Sequence, residues 1–213
     1  MIYNFLEITL LSIIQGISEF LPVSSSAHIY LISEIYQFRS QSLMTDVALH
    51  LGSLIAIIFF FRNELINIFE NKNLLYLLVL GSVPLIIVGL LIFSTGLINN
   101  LRNLEVVAWT TLIFAIILFI ADKFRVRKKL NKNLNIKSIL FIGLFQILSI
   151  IPGVSRSGIV ITAGRFLNFD RFDSTKISFY LSIPALAGAS ILTLKDLTYE
   201  TINFNIVILF AII

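Results

Sequence analysis

The twenty residues from Leu74 to Phe93 carry no charge, and that run constrains the fold more than any other feature of the chain. Twenty apolar residues in a helix span about 30 Å, the thickness of a bilayer's hydrocarbon core. Gly81, Pro84 and Gly89 interrupt the run, and lipid-embedded helices tolerate all three. The remaining sequence has the same character: of 213 residues, 57% are hydrophobic and 13% charged, and the mean hydropathy is +0.95. An ordinary soluble domain is about 25% charged, so there is too little polar surface here to cover a water-facing fold. The same deficit of charge excludes disorder. The expected class is an all-α integral membrane protein, a polytopic helical bundle forming one domain over residues 1–213.

Shorter apolar runs at Leu49 to Phe61, Val106 to Ala121 and Ile177 to Leu194 read as three further spans. In the last of these, Ala185, Ala187, Gly188, Ala189 and Ser190 follow Pro184 and offer a close-packing face to a neighbouring helix. Two regions break the pattern. Ile2 to Tyr36 and Ser138 to Phe169 each hold an apolar stretch, a break containing Pro and Ser, and a second apolar stretch, with neither half long enough to cross. Such breaks are tolerated at membrane depth where they are buried in protein or line a wet cavity, so each is expected to be a re-entrant helical hairpin.

Charge placement orients this arrangement. The loop from Asp122 to Lys137 carries seven basic residues against one acid, which assigns it to the cytoplasm. Threading from it leaves twelve of the sixteen basic residues cytoplasmic, Arg39, Arg102 and Lys195 outside, and Arg156 at membrane depth within the second hairpin. Three spans separate the hairpins, so the two must enter from opposite faces and meet near the midplane. Gln15 to Ser26 (QGISEFLPVSSS) aligns with Gln146 to Ser157 (QILSIIPGVSRS) with one residue of slippage, which suggests two inverted repeats, about 1–93 and about 136–213. Opposed broken helices are a common way to build a central polar site.

The zero cysteine count removes disulfides, thiolate metal sites and cysteine nucleophiles. Met1 to Phe5 has no basic stretch, and Glu7 and Gln15 interrupt the apolar run after it, so the N-terminus reads as part of the mature fold. At the other end, the ten residues Phe204 to Ile213 are too few to span, and a longer C-terminus is expected.

The first break holds Glu19, Pro22, Ser24, Ser25, Ser26 and His28 within ten residues. A charged side chain at the bilayer centre costs at least about 2.5 kcal/mol, so a carboxylate and an imidazole here call for a reason. On a helix starting near Ser24, Ser25 and His28 are three apart and share a face, which sets a base beside a hydroxyl. Gln15 and Glu19, four apart, offer oxygen ligands of the kind a hard divalent cation takes. The free N–H groups at the start of the second half-helix favour a phosphate. The second break, Pro152 to Gly158, adds Arg156 between Ser155 and Ser157, and arginine suits bidentate phosphate recognition. The blander alternatives are serines that only cap a helix and a Glu19–Arg156 pair that only neutralises itself. His50, near Asp46, reads as a buried, hydrogen-bonded histidine, and Trp109 with most Phe residues as lipid contact.

The string QGISEFLPVSSSAH (Gln15 to His28), together with PGVSRSG (Pro152 to Gly158), resembles the two signature motifs of the bacterial undecaprenyl-diphosphatase family, also known for bacitracin resistance. The likeness extends over essentially the whole chain. It implies a multi-pass phosphatase of the bacterial inner membrane that hydrolyses undecaprenyl diphosphate to undecaprenyl phosphate and inorganic phosphate, recycling the lipid carrier for peptidoglycan synthesis. It further implies dependence on a divalent cation, Mg2+ or Ca2+, an active site open to the external, periplasmic side, and no nucleic-acid partner; a homodimer is left open. Carried over by position, Glu19 is the carboxylate associated with the metal, Ser25 the nucleophile, His28 its acid–base partner and Arg156 the phosphate anchor. Ser24, Ser26 and Ser155 are supporting hydroxyls. Gln15 stands where many members have a second glutamate, so it enters the metal site as an amide. Two nucleophiles remain open, Ser25 or a water activated by the cation. The rival function is a polyprenyl-phosphate flippase using the same midplane site.

Overall fold

The computed structural model describes residues 2–38, 43–95 and 103–197. The described residues are helical throughout apart from connecting turns and one isolated bridge between Lys128 and Phe169. In chain order the helices are α1 (Ile2–Ser18), α2 (Ser25–Tyr36), α3 (Leu43–Phe60), α4 (Arg62–Glu70), α5 (Lys72–Thr95), α6 (Leu104–Asp122), α7 (Leu130–Asn133), α8 (Ile136–Gln146), α9 (Arg156–Phe166) and α10 (Arg171–Leu197). A 3-10 turn, Ile147–Ile150, continues α8. The expected class is the observed one.

Among the described residues, two helices are long and apolar enough to cross a membrane, over Lys72–Ile92 and Leu104–Asp122, and a bent pair, Ala48–Phe60 with Arg62–Glu70, makes a third candidate. The first two contain the runs read from the sequence. The third differs from expectation: at Phe61 the chain turns by 72° into α4, which buries Ile68 but leaves Ile66 and Phe69 exposed beside its charged residues. Such a mixed surface suits the membrane–water interface. The predicted span Ile177 to Leu194 lies inside α10, whose first turns carry Arg171, Asp173 and Lys176 and whose core face packs on α9, α3 and α5.

Lipid must cover what these helices leave bare. Trp109, Leu112, Ile116, Phe119 and Ile120 on α6, and Val79, Ile87 and Leu91 on α5, are all exposed. Contiguous apolar patches of that size do not persist on a water-facing monomer.

Both predicted breaks are present. α1 and α2 pack together around the turn 19–24, and α8 and α9 around 151–155. Asn103, Asn135 and Ser155 cap α6, α8 and α9 by accepting from Val106, Ser138 and Gly158 N–H groups, which settles donors that would otherwise be orphaned. The main core lies where α5, α8, α9 and α10 meet, with Ile139, Ile142, Ala163, Ile177 and Leu181 fully buried. Arg165, also buried, donates to the carbonyls of Asp122, Phe124 and Phe169 and so ties the end of α6 to the turn before α10. The residues 198–213, including the segment from Phe204, and the outward residues Arg39 and Arg102, lie outside the described residues.

α5 and α8 approach through glycine. A Cβ on Gly143 would stand 2.4 Å from the Gly81 carbonyl oxygen, and backbone cannot yield as a side-chain tip can. Alanine in a helix gains about 1 kcal/mol over glycine, whereas overpacking costs about 1–3 kcal/mol. Gly143→Ala should therefore lower the thermal midpoint in detergent by several degrees; an unchanged or raised midpoint would contradict this packing.

Candidate active site

The chain leaves α1 at Ser18, and the Glu19 N–H still donates to the Gln15 carbonyl at 2.9 Å, so Gln15 and Glu19 keep their four-residue helical relation. Pro22 cannot continue the ladder. Ser24 turns the chain with φ 57°, a conformation that costs a non-glycine residue about 1–3 kcal/mol and concentrates at functional sites. The Ser24 side chain makes no capping bond to α2; its Oγ is instead 3.4 Å from Ser26 Oγ. Ser24 is thus not a side-chain cap of α2.

In the second break, Gly153 takes φ 89°, and a Cβ there would lie 2.2 Å from Thr110 Oγ1. Only glycine fits. Thr110 and Thr111 of α6 donate to the carbonyls of Pro152 and Gly153 at 2.6 and 3.1 Å, fixing this turn against a spanning helix. The two turns then meet directly: Ser157 Oγ donates to the Leu21 carbonyl at 2.8 Å, and Arg156 Nη2 donates to Glu19 Oε1 at 2.6 Å.

Glu19 is the hub. Its Oε2 accepts from Ser25 Oγ at 2.5 Å and from Gln15 Nε2 at 3.0 Å, while Oε1 holds Arg156. The side chains of Arg156 and Glu19 are 14% and 7% exposed, so this pair is screened far less than a surface one. Gln15 Nε2 also reaches Ser53 Oγ on α3 at 3.3 Å. Glu19, Ser24, Ser25, Ser26, Ser155 and Arg156 border one cavity of about 450 Å³. Its opposite wall is apolar, built by Leu85, Ile86 and Leu90 of α5 with Pro184, Leu186 and Ile191 of α10. α2 and α9 both begin at this cavity, so their N-terminal partial charges favour an anion there.

His28 does not join Ser25. Three residues along a helix is 60° short of a full turn, and the His28 ring is drawn back by its Nδ1, 2.8 Å from the Ser24 carbonyl. His28 is exposed and borders a second cavity of about 210 Å³ with Thr111, Gly158 and Thr162. Ser25 meets Glu19 instead, so the expected serine–histidine pair is replaced in this structure by a serine–glutamate pair. The histidine that does border the larger cavity is His50 of α3. It is hydrogen-bonded as expected, through Nδ1 to the Asp46 carbonyl at 2.6 Å, and it is also within electrostatic reach of Glu19. The polar residues Thr45, Asp46, His50 and Ser53, recurring at helical spacing along α3, were the signal that could have placed it.

Among the described residues, no three His, Cys, Asp or Glu side chains converge as a ready-made metal cage. Beside the Glu19 carboxylate, however, the buried Gln15 Oε1 has no hydrogen-bond partner. A carboxylate, an amide oxygen and nearby hydroxyls are the kind of oxygen donors that a hard divalent cation takes.

A helical membrane protein with a buried carboxylate, hydroxyl and guanidinium facing an apolar wall is built to handle an amphiphilic anion. The chain belongs to the bacitracin resistance protein BacA family, whose model matches residues 8–213. It is similar to the undecaprenyl-diphosphatase of Pelagibacter ubique (strain HTCC1062), with 58% identity over all of this chain and 83% of that protein. It is also similar to the undecaprenyl-diphosphatases of Elusimicrobium minutum (strain Pei191), 44% identical over 91% of this chain and 78% of the relative, and Alteromonas mediterranea, 39% identical over 90% and 76%.

Proposed function

We propose that this protein hydrolyses undecaprenyl diphosphate to undecaprenyl phosphate and inorganic phosphate, the reaction its relatives' names denote. The observation that carries this reading is the meeting of Ser25, Glu19 and Arg156 from two separate hairpins. A carrier needs the cationic anchor, but it has no use for a hydroxyl held 2.5 Å from a carboxylate.

Arg156 binds the terminal phosphate and leaves Glu19 as it does so, which exchanges one buried anion for another. Ser25 Oγ then attacks the terminal phosphorus in line with the bridging oxygen, and its proton passes along the existing hydrogen bond to Glu19. Undecaprenyl phosphate leaves as the P–O bond to the bridging oxygen breaks. Positioning and charge neutralisation account for most of the acceleration in phosphoryl transfer. Glu19, Gln15 Oε1 and the neighbouring hydroxyls would hold a divalent cation, Mg2+ or Ca2+, which when bound neutralises phosphate charge. The apolar wall of α5 and α10 receives the first isoprene units, and Gly89 and Gly188, with open space where a Cβ would stand, widen it.

The basic loop 122–137, held by ion pairs of Lys129 with Asp170 and Arg171 with Asp122, supports a cytoplasmic placement for that end of the bundle. The site would then open to the external face of the inner membrane, with the two breaks belonging to inverted repeats. Purified protein in detergent should release inorganic phosphate from the C55 diphosphate in a cation-dependent manner. Transfer of the lipid across liposomes with no phosphate release would favour the flippase and overturn this reading.

A further inference from the structure

We propose that His50, on α3, is the general base that activates the water which hydrolyses the phosphoryl group from Ser25. This inference rests on the diphosphatase reading of the site. Among the described residues, the ionisable ones bordering the larger cavity are Glu19, Arg156 and His50. Both Glu19 oxygens are already engaged, by Ser25 and Gln15 on one side and Arg156 on the other, and a guanidinium donates but does not accept. Of these three, His50 is the one that can take a further proton; His28 borders the other cavity.

The ring is prepared for the role. A backbone carbonyl only accepts, so the 2.6 Å contact with the Asp46 carbonyl sets the proton on Nδ1 and leaves the lone pair of the neutral ring on Nε2. His50 also lies three residues before Ser53, whose hydroxyl meets Gln15, so one face of α3 serves both ends of the polar cluster. Among the described residues, Glu19 at the end of α1 lies within electrostatic reach of His50, the Asp46 carbonyl on its own helix holds its Nδ1, and Arg156 at the start of α9 borders the same cavity.

The balanced step follows. Water oxygen bonds to the seryl phosphorus as the bond from phosphorus to Ser25 Oγ breaks. One water proton passes to His50 Nε2, and Glu19 returns its proton to the serine oxygen. Hydrogen phosphate leaves, and His50 releases its proton to solvent, which closes the cycle without an external reagent.

The two halves of the reaction separate in pre-steady-state kinetics with an isoprenoid diphosphate labelled in its terminal phosphate. His50→Gln, which keeps an uncharged hydrogen-bonding side chain, should give a burst of isoprenoid monophosphate of about one equivalent per site. Phosphate release should follow at a rate reduced about 100-fold, with label trapped on Ser25 after acid quench. In His50→Ala, added imidazole should restore phosphate release, which a purely structural role would not permit. Equal slowing of both products without a burst, unchanged phosphate release, or no rescue by imidazole would each overturn the assignment. Wild-type protein that releases no phosphate at all would instead remove the diphosphatase reading beneath it.

Discussion

Arg156→Ala should reduce kcat/KM for phosphate release by about 1,000-fold and also lower stability. The activity loss follows from removing a preorganised charged donor from a water-poor site, where one such donor contributes about 100–1,000-fold; in the proposed mechanism this one also anchors the substrate. The stability loss has a separate cause. Glu19 is 8% exposed overall and bonded to Arg156 at 2.6 Å, and removing one partner of a buried pair costs about 3–5 kcal/mol because the other charge is left uncompensated. Exchanging the charges, with Glu19→Arg and Arg156→Glu together, should return much of the thermal midpoint and none of the turnover. Turnover that survived Arg156→Ala would mean that the Glu19–Arg156 pair is structural and that phosphate is held elsewhere.

Ser25→Ala should show the opposite balance: a very large loss of turnover with little loss of stability. Removing a covalent nucleophile typically costs far more than 1,000-fold, whereas deleting one hydrogen bond costs about 0.5–1.5 kcal/mol. Glu19 keeps Gln15 and Arg156 as partners in this variant, so no buried charge is stranded. The measurement is phosphate release beside thermal unfolding on the same preparation. A partial loss, with no phosphoserine recovered from wild-type protein after acid quench, would indicate that water attacks the diphosphate directly.

These two variants probe a site whose parts were unequally legible in the sequence. Glu19 and Arg156 stood out because an ionisable residue in an apolar segment is costly enough to need a partner, and each is in fact the other's partner. Ser25 stood out by its place after Pro22. The pairing of Ser25 with His28 rested on sequence spacing and on the family resemblance, and spacing fixes an angle around a helix axis without saying where that axis points. His50 was passed over for the same reason: its helix is apolar on most faces, and only packing against α1 and α10 shows that its polar stripe faces the cavity.

The sequence by itself determined the lipid environment, the uncharged cores of α5 and α6, the two broken segments and the basic loop. Each of these depends on the transfer of short stretches of chain between water and lipid, which is a local property. The tertiary structure alone decided the 72° turn into α4, the contact between the two breaks, the choice of Glu19 as the partner of Ser25, and the separation of His28 and His50 into different cavities. Those depend on the rotation and approach of helices, set by close contacts such as Gly81 with Gly143 and Gly153 with Thr110, between residues about 40 to 60 positions apart in the chain. Local hydropathy carries no information about such contacts, because in lipid the helices associate through packing and hydrogen bonds rather than through apolar burial.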